Sequence, residues 1–229
     1  MQDNLNSKYK SIVDFLQMSS EIYFNETGIK VKIEIVNDFS FNARVSKIEE
    51  KVYKIEIRHG CLCLENLIEN ITNRYTEDDL KSFWRFRKLN IFEKNAGDTY
   101  REELNQLFGS IILLHIFFHE CGHITAKYID KENGTYAEMQ PSDNGGYEKQ
   151  EQEMVADWLS TKFLYKSMFF ATIGTDKIDF EELLSILEQL TILYWLSLTI
   201  EFQIFDSVHT GDVPDYSLLT HPHPAVRLY

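Results

Sequence analysis

Imidazole nitrogens and carboxylate oxygens at helical spacing are the side-chain donors that hold a divalent transition metal, and the segment His119-Glu120-Cys121-Gly122-His123 has that form. A helix turning about 3.6 residues at a time brings His119 and His123 to one face, so that both imidazoles reach one ion. Glu120 lies beside that face. Its carboxylate can take a proton from a water molecule held by the ion without entering the coordination sphere, which is the position of a general base.

A catalytic zinc needs a third protein ligand and an open position for water, and a pair of histidines with one carboxylate is a known solution. Farther down the chain, Glu153-Met154-Val155-Ala156-Asp157 places a carboxylate at each end of one helical turn. Glu153 can bind the ion, with Glu151 as the alternative ligand, while Asp157 accepts a hydrogen bond from a histidine ring. Ala156 and Gly122 are small enough for the two helices to approach closely, as the reach of a carboxylate demands.

H-E-x-x-H followed by E-x-x-A-D on a second helix resembles the gluzincin metallopeptidases. In the tail, Thr220-His221-Pro222 followed by Arg227-Leu228 is similar to the T-H-P-x-x-x-x-R-I/L signature of the CaaX-prenyl-protease and heat-shock membrane-protease family of gluzincins. That resemblance implies a catalytic role for His221, hydrogen-bonding the oxyanion of the tetrahedral intermediate. It also implies that Arg227 orients the metal-site helices by pairing with a carboxylate, Asp157 being one choice. Small soluble gluzincins of the phage-exclusion and repressor-cleaving types fit as well, and they cut one particular cellular protein. The implied cofactor is Zn2+, the implied fold is zincin-like, and the implied partner is a protein or peptide substrate lying extended along a sheet edge, at Ile29 to Ile35 or Tyr53 to Ile57.

Several other groups compete for these roles. His115 stands one turn before His119 and reads as a core histidine or as one supporting the metal ligands. His223 competes with His221. Cys121 points away from the ligand face and reads as a packing residue, while Cys61 and Cys63 lack partners for a second metal site. A non-catalytic binding or regulatory domain that keeps the zincin fold is the alternative to the enzyme.

The elements that must position these residues can be read from periodicity. Ile12, Phe15, Leu16 and Ile22 mark an amphipathic helix over Lys8 to Ile22. Ile29, Val31, Ile33 and Ile35 alternate with Lys30, Lys32 and Glu34, and Tyr53, Ile55 and Ile57 alternate likewise, which predicts half-buried strands. Ala43 to Ile48 is a further strand, with Glu49 to Lys51 as the turn. After a helical or irregular stretch from Asn66 to Phe92, Asn95 to Asp98 can start a long helix from Thr99 to Ile129 that carries the metal motif. Lys131 to Gly146 reads as a loop that could cover the cleft, since its Gly, Pro, Ser and Asn content favours neither helix nor strand. Helices from Tyr147 to Ala171 and from Asp179 to Phe205 follow. The expected architecture is α+β and predominantly helical, with a small N-terminal sheet packed on the metal-motif helix in one domain, 1–229, its sheet part in 1–97 and its metal-site part in 98–229.

Composition sets the outer bounds. A chain of 229 residues, 44% of them hydrophobic, can bury a substantial core. With 36 acidic and 23 basic residues its net charge is -13, which repels nucleic acid from the average surface. Sparse cysteines and a start, MQDNLNSKYK, without export features point to the cytoplasm. Leu183 to Phe205 is apolar, but Glu188 and Glu201 leave only Gln189 to Ile200 uncharged, short of the roughly 20 residues a bilayer requires. A buried core helix is expected there, and no stable membrane insertion.

Overall fold

A computed structural model describes residues 10–73, 98–127, 135–137, 146–173 and 180–208. The tail residues His221, His223 and Arg227 lie outside the described residues, as do Gly174 and all of 74–97. In chain order the elements are α1 (Lys10–Thr27), β1 (Lys30–Val36), β2 (Ala43–Glu49), β3 (Val52–Arg58), a short 3-10 turn (His59–Leu62), α2 (Glu65–Thr72), α3 (Asp98–Thr125), β4 (Thr135–Ala137), α4 (Gly146–Ile173) and α5 (Phe180–Val208). The class is α+β and predominantly helical.

The period-two segments form the sheet. Tyr53, Ile55 and Ile57 turn one face of β3 into the core, joined there by Val31, Ala43 and Val45. β2 and β3 form an antiparallel hairpin whose turn places Lys51 at φ 57, and β1 pairs with the free side of β3 in parallel, Lys30 opposite Val52 through Val36 opposite Arg58. The strand order β1-β3-β2-β4 makes β3 central. Tyr53 to Ile57 therefore offers no edge for an added strand, since both its sides are already hydrogen-bonded; β1 is an outer strand.

Within the segment read as a loop, Thr135–Ala137 is a strand, paired antiparallel with Arg44–Ser46 of β2. Turn-forming neighbours hid it, and the pairing comes from the open edge of β2, which a Thr-Tyr pair suits.

Helix α3 packs against β2 and β3 of the sheet. Every residue from Ile111 to Ile124 is buried, which explains its lack of a polar face. It ends at Thr125 rather than Ile129, because Lys127 takes a left-handed conformation (φ 61) and its N–H bonds back to Ile124 O. From α1, the Tyr23 hydroxyl reaches Thr125 Oγ1 at 2.8 Å and donates to Cys121 O at 3.2 Å, pinning the last turn. Burial first, and then the neighbouring Cys121, push the Tyr23 hydroxyl well above its usual range.

Among the described residues, two helices are long and apolar enough to cross a membrane by length and composition. For α3 the relevant stretch, Asn105–Thr125, is 83% buried inside the protein, as a core helix must be. In α5 the stretch Leu183–Ile204 is 38% buried, so the expected core helix is buried along one face, through Leu190, Leu193, Leu198 and Phe202, while Leu184 and Trp195 face outward.

Candidate metal centre

Helices α3 and α4 lie against each other so closely that their backbones touch. A Cβ added at Gly122 would meet Ala156 O at 2.7 Å and Ala156 Cα at 2.8 Å, so no other residue fits at 122 without moving a helix. One turn farther along α4 and about two turns back along α3, Ser160 Oγ donates to His115 O at 2.9 Å, which fixes the two helices as antiparallel. This contact brings the donor stripe of α3, His119 and His123, opposite the stripe Glu153 and Asp157 of α4.

His119 Nε2 lies 3.0 Å from Glu153 Oε2 and 3.1 Å from His123 Nε2, and His123 Nε2 lies 3.6 Å from Glu153 Oε1. Ligand atoms about 2.1 Å from a tetrahedral zinc stand about 3.4 Å apart, so the observed separations are close to the edges of such a tetrahedron. The buried group His119, His123 and Glu153 can hold a metal ion. Glu151 is exposed on the outer side of α4 and is not part of it.

Asp157 sets the orientation of His119. Its Oδ1 lies 2.7 Å from His119 Nδ1, which as the donor leaves the Nε2 lone pair directed at the Glu153 carboxylate. Lone pairs converging at this distance repel unless a cation, a proton or a metal ion, stands among them. Burial alone would lower the basicity of His119, but the charge of Asp157 and then the hydrogen bonds to Asp157 and Glu153 outweigh it and raise the imidazole well above its ordinary range. A metal ion bound at Nε2 would require the ring to be unprotonated there.

Glu120 is fully buried beside the histidines, and Cys121, also fully buried, is a packing residue whose thiol is pushed up by burial and by the Glu120 charge. His115 does not join the donors. Its Nδ1 lies 2.9 Å from Glu201 Oε2 and 3.1 Å from Oε1, at the contact of α3 with α5. Glu201 escaped the sequence reading as a partner, although a lone carboxylate within an apolar run was the available signal. His59 and Cys63 are neighbours, Sγ to Nδ1 3.6 Å, while Cys61 donates to Asn42 O at 3.2 Å.

No protein-family model, curated protein or solved structure matches this chain.

Proposed function

We propose that the protein is a zinc-dependent endopeptidase of gluzincin type and zincin-like fold, acting in the cytoplasm on a specific intracellular protein. The observation that carries the reading is the convergence of His119, His123 and Glu153 with separations of 3.0, 3.1 and 3.6 Å, with Glu120 buried beside them. A zinc ion held there would supply Lewis acidity toward a substrate carbonyl and a water molecule. The Glu120 carboxylate accepts the water's proton and delivers it to the leaving amine nitrogen. Asp157 keeps the His119 ring turned so that Nε2 faces the centre. By their resemblance to the tail signature, His221 hydrogen-bonds the oxyanion and Arg227 orients the helices. An extended substrate segment adds to the outer strand β1, whose far side is unpaired among the described residues.

The test compares wild type with Glu120→Gln by elemental analysis and by terminal-peptide mass spectrometry of a treated cell lysate. The expected result is about one zinc per chain in both, with cleavage by the variant reduced about 100- to 10,000-fold. Absence of metal from the wild type sinks the site.

One observation favours a second reading, a non-catalytic binding or regulatory domain with a structural ion. His119 is 2% exposed and Glu120, His123 and Glu153 are 0% exposed, so a substrate reaches the donors only after part of the chain moves. Zinc in both proteins without Glu120-dependent cleavage would select that reading.

A further inference from the structure

We infer that Gln152 holds the ligand of the metal centre, its side-chain oxygen accepting a hydrogen bond from a backbone N–H of the bound peptide. This rests on the peptidase reading and names a substrate contact outside both motifs.

Gln152 is 6% exposed, and its Oε1 has no hydrogen-bond partner among the described residues. A buried amide oxygen left unpaired is destabilising, and an apolar side chain of similar length would remove the penalty. An orphan of this kind in a native protein calls for a use. A carbonyl oxygen accepts and cannot donate, so the missing partner is an N–H or O–H group.

The position of Gln152 identifies the partner. Gln152, Ala156 and Ser160 form one stripe of α4 at intervals of about one turn. Ser160 bonds to His115 O and Ala156 lies on Gly122, so Gln152 meets the last turn of α3, at the His123 end of the donors. The next residue, Glu153, offers its carboxylate to His119 and His123. Successive helical residues point about 100° apart, so the amide borders the donor stripe Glu153–Asp157. Other buried atoms without a partner, Ser167 Oγ and Asn42 Oδ1, do not border it: Ser167 is about 21 Å along α4 from Glu153 by helical rise, and Asn42 precedes β2. A peptide whose carbonyl lies at the metal brings backbone N–H groups within one residue of that carbonyl, the donors an orphaned acceptor beside the metal ligands lacks.

The test uses the zinc-loaded full chain, calorimetric titration and two chelating probes, acetohydroxamate and a Leu-Phe dipeptide capped with a hydroxamate. Both bind zinc, but only the second carries peptide N–H groups. Gln152→Met is expected to keep its zinc and its affinity for acetohydroxamate, to bind the dipeptide hydroxamate about tenfold more weakly, and to melt at a higher temperature than wild type. Gln152→Leu, measured beside it, is expected to behave in the same way and guards against a misfit of the methionine. Unchanged affinity for the dipeptide probe overturns the inference while leaving the metal centre intact. Equal weakening of both probes, or lower melting of both variants, also overturns it, because the amide then serves the metal or the fold. If neither probe binds zinc-treated wild type, the metal-centre reading fails and the inference fails with it.

Discussion

On the outer face of the sheet, Arg44, Glu56, Lys54 and Glu34 form a chain of ion pairs across β2, β3 and β1, with side chains from 12% to 56% exposed. Between α3 and α4, His119, His123, Glu153 and Asp157 are also ionisable, but none is more than 14% exposed. Water solvates any sheet charge that loses its partner, so those pairs adjust local protonation and contribute little to stability. Burial would raise the Glu56 carboxyl, yet Lys54 and Arg44 hold it below its usual range, and hydrogen bonds to Glu56 and Glu34 raise Lys54. Between the helices burial keeps bulk solvent away, and each group depends on the others and on a cation. Ionisable side chains therefore depend little on their partners in one place and strongly in the other.

The largest way to break this contrast is Gly122→Val. With Ala156 O already 2.7 Å from where a Cβ would stand, the helices must part, and a loss of about 3 kcal/mol in chemical denaturation is expected together with loss of bound zinc. A variant that folds with wild-type stability and metal content would show that the backbone contact is not required.

Removing the support of one ligand is milder. Asp157→Asn should weaken zinc affinity about 10- to 100-fold in competition with a chromogenic chelator, because His119 loses the acceptor that orients it. Unchanged affinity would show that packing alone orients the ring.

The dependence on pH separates the two states of the centre. With the folded value of His119 raised, its contribution to the metal-free protein is complete below the unfolded value near 6.5 and is lost as pH rises through the folded value. Zinc requires the deprotonated ring, so its apparent affinity should rise by up to about tenfold per pH unit over the same window. Melting curves with and without chelator should accordingly diverge as pH increases; parallel curves would mean that His119 does not exchange a proton for the metal.

On the sheet, Lys54→Gln should leave the melting midpoint within experimental scatter. A clear drop there would erase the distinction between the two regions.

Much of this was legible along the chain. The alternations at Ile29–Ile35 and Tyr53–Ile57 mark strands because a strand's side chains point to opposite faces by covalent geometry alone. The four-residue spacing of His119 and His123 likewise implies a shared face once the segment is helical. The Thr135–Ala137 strand was not legible, since three residues carry no period and the strand exists only because β2 has an edge to pair with. Nor was the end of α3, where a left-handed Lys127 stands in a position that glycine usually marks.

The sequence by itself determined which residues could be metal donors, that they lie on helices, and that small residues at 122 and 156 permit a close contact. Tertiary structure decided that Glu153 rather than Glu151 faces the histidines, that Asp157 takes His119, that His115 pairs with Glu201, and that β1 joins β3 in parallel. The division follows from range. Helical and strand spacing is a property of consecutive residues, whereas the partner of a side chain across the core depends on how separate surfaces pack, which no single segment encodes.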